Sequence, residues 1–359
     1  MSMSGPSWAE AALPSAKNSG LMSTTQIHTE IDFSLLHGKQ CGHLAIPYSH
    51  NLGGWANLQI PISVIRNGAG PAVLLMAGNH GDEYPGQVAI LKLWRELTPD
   101  EVTGTLILMP CLNPPAAKAS TRLSPLDGRN FNRCFPGNPS GTVSEMLAHY
   151  LTTELFPMAE YVIDLHTGGR SMGFLPCAHM HLVPDLHQRE RMMRATEAFL
   201  TDVAFLYADV AGAGLLPSEA ERQGKIVITT ELGGGETVPA NIHRICQTGL
   251  RNVLIHCGVL RGEEQPRTRP ARWVQALDRS DYRFAPESGL YENCAELGET
   301  VRKGDLLGQV HFLEQPGREP VRVVAHSDGM LMANRGPSMV GQGDCVACVA
   351  HDVESNSFH

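Results

Sequence analysis

His80-Gly81-Asp82-Glu83 places an imidazole and a carboxylate three residues apart, where a strand-like run at 72–78 gives way to a helix-like run at 87–97. A third donor, His166, follows in Asp164-Leu165-His166-Thr167-Gly168-Gly169. Two imidazoles and one carboxylate are the donor set of many catalytic zinc sites. Such sites keep a coordination position open for water and bring that water's pKa to about 7. The chemistry implied is therefore hydrolysis and not binding alone. H-x-x-E is common by chance, and each residue alone also fits a helix cap or a buried histidine. The stronger signal is that both clusters fall at the ends of apolar runs.

Glu231 closes the run Ile226-Val227-Ile228-Thr229-Thr230-Glu231-Leu232, just before three glycines. A carboxylate there is costly unless paired or used. Its functional reading is a general base that takes a proton from water and delivers it to a leaving amine; a salt-bridged structural Glu is the alternative. The loop at 122–137, RLSPLDGRNFNRCFPG, is rich in arginine and suits anion recognition, with Arg122, Arg129 and Arg133 as candidates. One of them could instead stabilise an oxyanion. Asp164 lies two residues before His166, so on a strand both side chains share a face and Asp164 can orient the imidazole. A structural Asp bonded to backbone fits equally. His179 and His181 form a second histidine-rich spot on a stretch rich in Pro, Met and Leu, and are not expected to be ligands. Cys345 and Cys348 form one CxxC pair without a second and are read as strand packing.

Strand-like runs at 72–78, 105–112, 161–166 and 225–232 alternate with helix-like runs at 87–97, 143–155, 186–200 and 239–257. In the first helix Val88, Leu91, Trp94 and Leu97 recur at helical spacing. Continuous apolar strands with interleaved helices predict an α/β fold, a mostly parallel sheet covered on both faces. Ligands gather at the carboxyl ends of such strands, where His80, Asn113, His166 and Glu231 lie. Two further strands, at 43–47 and 58–65, flank a turn at Gly53-Gly54.

Residues 26–260 are expected to form the hydrolase domain, preceded by a mobile tail at 1–25. Residues 261–282 are charged and proline-rich and read as a linker. Residues 283–353 are expected to be β-rich. There, Gly298-Glu299-Thr300-Val301-Arg302-Lys303-Gly304-Asp305 is echoed by Met339-Val340-Gly341-Gln342-Gly343-Asp344. The echo resembles the two halves of a biotinyl/lipoyl-type β-barrel. Its hairpin, Ser327-Asp328-Gly329-Met330-Leu331-Met332, has no lysine for a carried group.

The chain has 359 residues, 42% of them apolar, enough for a sizeable core. Its net charge of -9 argues against a nucleic-acid partner. No apolar run approaches the roughly 20 residues that span a bilayer, and the first 25 residues lack signal-peptide character. Nine cysteines do not suggest a disulfide framework, which points to a reducing cytoplasm.

Five motifs in order carry a family resemblance: Gly78-Asn79-His80-Gly81-Asp82-Glu83, Asn113-Pro114, Asn132-Arg133-x-Phe135-Pro136-Gly137, Asp164-Leu165-His166-Thr167-Gly168 and Glu231-Leu232-Gly233. The chain resembles the succinylglutamate desuccinylase/aspartoacylase family, relatives of zinc carboxypeptidases, over roughly 58–258. The resemblance implies a zinc carboxypeptidase-like mixed sheet flanked by helices, with a small C-terminal β-barrel-like domain. It implies one Zn2+ per chain on His80, Glu83 and His166, with Glu231 as catalytic acid/base. It gives Arg122 the task of polarising the scissile carbonyl, and Asn132 and Arg133 that of gripping a substrate carboxylate. Asn130 and Arg129 are counted with them as substrate contacts. Family members often have an acid where this chain has Asn130, which bears on the local hydrogen bonds and not on the metal. A homodimer is also implied.

Within the family, the stretches His43-Leu44-Ala45-Ile46-Pro47-Tyr48-Ser49, 124–133 and Thr229-Thr230-Glu231-Leu232-Gly233-Gly234-Gly235 are similar to the branch that deacetylates N-α-acetyl-L-2,4-diaminobutyrate in ectoine breakdown. The expectation is a zinc amidohydrolase that frees the α-nitrogen of a small N-acyl amino acid. Its rivals are an N-acyl aspartate or a peptide C-terminus as substrate, and a non-catalytic zinc-dependent binding protein.

Overall fold

In the computed structural model, which describes residues 26–208 and 212–353, the apolar run Ala72–Ala77 is a strand whose last five residues are all buried. A run with no polar face lies inside a sheet covered on both sides. Its parallel neighbours are Gly104–Met109 and Tyr161–His166, and Ile226–Glu231 pairs in parallel with the latter. These four strands place the ends of the motifs side by side. The helices Pro85–Glu96, Leu186–Ala198 and Ala240–His256 bury apolar faces, as with Ile242, Cys246, Leu250 and Val253 of the last. Truncating a fully buried strand residue such as Ile163 to Ala would cost about 2 to 5 kcal/mol.

Two strands widen the sheet on one side. His37–Pro47 pairs antiparallel with Asn57–Asn67 along their whole length, around the expected turn, where His50 and Gly53 bridge. Asn57–Asn67 then pairs antiparallel with Gly104–Met109.

On the other side, Cys177–His181 runs antiparallel to Ile226–Glu231 and parallel to Val203–Tyr207. Neither strand was expected from the sequence. Within 261–282, read above as a linker, Arg272–Ala276 is a strand parallel to Val203–Tyr207 and antiparallel to Cys345–Asp352. The reason is packing: Val274 and Ala276 reach a buried cluster with Phe205, Met332 and Cys348. The large sheet therefore runs on into the C-terminal region.

That region also contains a separate antiparallel sheet of Val321–Val324, Leu306–His311, Gly289–Asn293 and Met339–Val340. The sequence echo has a structural counterpart. Thr300–Val301 precedes the strand Leu306–His311 through a turn, and Met339–Val340 precedes Cys345–Asp352 in the same way. The tail expected at 1–25 lies outside the described residues.

Candidate active site

The first motif occupies a tight turn between the strand Ala72–Ala77 and the helix Pro85–Glu96. Gly81 is required there, because a Cβ on it would lie 2.0 Å from the backbone carbon of Ala116. The opposing helix, Pro114–Ala119, is capped by Asn113, whose side chain accepts from Ala116 N–H. Asn113 is thus a structural member of the set. Asp82, given no role above, accepts from the Arg170 N–H at 2.8 Å and ties this turn to the one after His166.

His80, Glu83 and His166 are all buried, and their donor atoms lie within 4.8 Å of one another. Nδ1 of His80 is 2.7 Å from Glu83 Oε1, and Nδ1 of His166 is 2.9 Å from Glu83 Oε2. The outer nitrogens are also engaged. His166 Nε2–H donates to Asp164 Oδ2 at 2.7 Å, and His80 Nε2–H donates to Asn130 Oδ1 at 3.1 Å. Asn130 Oδ1 also accepts from Asn132 N–H at 3.0 Å, which fixes the amide's orientation. A neutral imidazole has a single N–H. With both Nε2–H groups committed outward, two Nδ1 lone pairs and a carboxylate converge on one point. A cation satisfies that donor set, so the residues fit a metal ion.

Burial opposes the charge on Glu83, but positive charge set against it outweighs burial: with protons on the His80 and His166 rings, the carboxyl lies well below the usual range. Glu231, the last residue of Ile226–Glu231, has register partner His166. Its Oε2 is buried without a hydrogen-bond partner. Burial, and then the nearby Glu83 carboxylate, push its pKa up to about 8. In the absence of a cation, Glu231 therefore holds its proton far more tightly than an ordinary carboxyl. Arg122 Nη1 lies 3.2 Å from His80 Nδ1 and 3.6 Å from Glu83 Oε1, at the edge of the donor set.

The remaining expected residues separate. Asn132 and Arg133 line the same cavity as His80, Arg122, His166 and Glu231. Asn132 Oδ1 accepts from Leu216 N–H at 2.8 Å, so the amide's donor is its Nδ2. Asn130, expected as a substrate contact, is instead the outer partner of His80. Arg129, also expected there, is 54% exposed and pairs with Glu145 at 3.3 Å. It lies in a loop held by Asp127, which accepts from its N–H, and does not reach the cavity.

The cavity has a volume of about 160 Å3, fit for a small molecule. Much of its wall was not foreseen: Phe174, His179, Phe205, Tyr207, Tyr282 and Cys348. His179 was seen as a histidine but not as part of this site. Tyr282 and Cys348 come from the C-terminal region, so that region shapes the cavity. A wider depression of about 570 Å3, lined by His181, Gln188 and Glu221, lacks the metal donor set.

The family model described as the succinylglutamate desuccinylase/aspartoacylase catalytic domain matches residues 69–257, which spans every donor above. The N-alpha-acetyl-L-2,4-diaminobutyric acid deacetylase of Halomonas elongata is 38% identical over 340 residues, covering 95% of this chain and 99% of its own. The chain belongs to the succinylglutamate desuccinylase/aspartoacylase family. Among solved members, a succinylglutamate desuccinylase/aspartoacylase from Rhodobacter sphaeroides is 41% identical with a TM-score of 0.87, covering 92% of this chain and 100% of its own. The product-bound ectoine utilization protein EutE (DoeB) from Ruegeria pomeroyi is 39% identical, also at 0.87, covering 90% of this chain and 98% of its own. As a member of this family, the chain is a hydrolytic enzyme acting on N-acyl amino acids.

Proposed function

We propose that this protein is a zinc-dependent deacetylase that converts N-α-acetyl-L-2,4-diaminobutyrate to acetate and 2,4-diaminobutyrate within ectoine breakdown. The observation that carries the reading is the convergence of His80, Glu83 and His166 beside an unpartnered Glu231 oxygen in one small cavity. The substrate is supported by the likeness to the Halomonas elongata deacetylase over nearly the whole chain.

Held by His80, Glu83 and His166, zinc would act as a Lewis acid and lower the pKa of water. Glu231 takes the proton of the attacking water on its carboxylate and returns it to the departing α-nitrogen. Arg122 donates to the carbonyl oxygen as negative charge grows on it. Asn132 Nδ2 and Arg133 grip the α-carboxylate and set the amide before Glu231. Asp164 and Asn130 hold the two imidazoles in one tautomer.

We further infer a cytoplasmic homodimer with one zinc per chain. All nine cysteines are free thiols, in keeping with a reducing compartment. No helix among the described residues is long and apolar enough to cross a membrane. Amine release from N-α-acetyl-L-2,4-diaminobutyrate, N-acetylaspartate and a C-terminal dipeptide tests the substrate. Turnover of the first alone supports the reading, and turnover of only the others overturns it.

A further inference from the structure

The cavity contains a buried imidazole that neither the metal donor set nor the proton transfer uses. His179, 6% exposed, lies on Cys177–His181 directly opposite Thr229. Thr229 is two residues before Glu231, so the two share a face of their strand. His179, Thr229 and Glu231 all line the cavity.

The hydrogen bonds around His179 fix its tautomer. The Thr229 hydroxyl donates to the His179 carbonyl oxygen at 2.9 Å. Its oxygen is then left to accept, and His179 Nδ1, 2.7 Å away, is the donor. Nε2 therefore presents a lone pair, and it is buried without a hydrogen-bond partner. A buried acceptor left unmet costs free energy unless a ligand meets it. Burial holds the His179 pKa well below its ordinary value, in keeping with a neutral ring.

The surroundings favour a positive guest. The Tyr207 ring meets His179 edge-on at 4.7 Å between centroids, and Phe205 stacks on Tyr207 at 6.2 Å. Aromatic faces attract cations. The cavity's own cations, Arg122 and Arg133, are assigned above to the carbonyl and the α-carboxylate.

We propose that His179 selects substrates with a side-chain ammonium, taking one of its N–H groups on Nε2. This rests on the deacetylase reading and names the residue that would choose the diamino acid. A side-chain carboxylate would instead face a lone pair and find no donor on His179.

The test compares N-α-acetyl-L-2,4-diaminobutyrate with N-α-acetyl-L-norvaline, which replaces the ammonium by a methyl at equal chain length. Zinc-loaded wild type should prefer the diamino compound by about 10- to 100-fold in kcat/KM, the worth of one hydrogen bond to a charged group. His179→Phe, which removes the acceptor and keeps a ring, should bring that ratio close to one. His179→Gln, which restores a carbonyl acceptor, should recover part of it. If His179→Phe does not fold, the His179→Gln ratio set beside wild type decides, since a structural role would move both substrates together. Equal losses on both substrates overturn the inference. Wild type that hydrolyses both alike overturns it and leaves the deacetylase reading intact. Wild type that hydrolyses neither, but does hydrolyse N-acetylaspartate, overturns both.

Discussion

Asp164 Oδ2 accepts the Nε2–H of His166 at 2.7 Å, and this turns the Nδ1 of that imidazole toward Glu83, 2.9 Å away. The same carboxylate oxygen also accepts from Asn79 Nδ2 at 3.3 Å, which holds it in place. One buried acid thus selects which nitrogen of His166 is free for a metal. Asp164→Asn should weaken zinc binding by about 10- to 100-fold, read by competition with a chromogenic chelator. Unchanged affinity would show that Asp164 only fills space.

Arg122 touches the edge of the donor set without belonging to it. Arg122→Ala should lower kcat by about 100- to 1000-fold, with KM changing much less. A rise in KM at constant kcat would instead move Arg122 to ground-state binding.

Arg129 and Arg133 stand four residues apart, yet only Arg133 lines the cavity. Arg133→Ala should raise KM by about 10- to 100-fold, the worth of a charge-assisted contact. Arg129→Ala should leave KM within about twofold, since an exposed ion pair is worth about 1 kcal/mol or less. Steady-state kinetics on both variants checks this, and the reverse order would return Arg129 to the site.

The pH dependence follows from Glu231, which burial and Glu83 push up to about 8. The base form is the deprotonated one, so kcat/KM rises with pH. A bound divalent cation draws the limb of that rise below 8. Stability has the opposite sign. A carboxyl whose folded pKa is raised contributes fully below its unfolded value, near 4.5, and that contribution is lost as pH climbs toward about 8. Metal-free Glu231→Gln should therefore gain Tm over the metal-free parent across that window, and should match it below pH 4.5. A Tm difference independent of pH would contradict this.

His80, Glu83, His166 and Glu231 were legible because each ends an apolar run or lies in the turn just beyond one, and a sheet brings such ends together. The run at 72–78 has no polar phase, so its burial followed from composition alone. Cys177–His181 was hidden because its polar histidines break the apolar pattern of a five-residue strand, although every residue in it is buried. Arg272–Ala276 was masked by the prolines and arginines before it. Arg129 was misjudged because a loop has no period, and its direction depends on where Asp127 and Glu145 lie in space. Tyr282 and Cys348 reach the cavity only because the large sheet continues into the C-terminal strands, a tertiary fact with no local signature.

The most direct test of the account is Glu231→Gln, with zinc content and amine release from N-α-acetyl-L-2,4-diaminobutyrate measured on one sample. The account predicts one zinc per chain, as in the parent, with turnover reduced by about 100- to 10,000-fold. Turnover close to the parent's, with zinc bound, would remove Glu231 from proton transfer and contradict the mechanism.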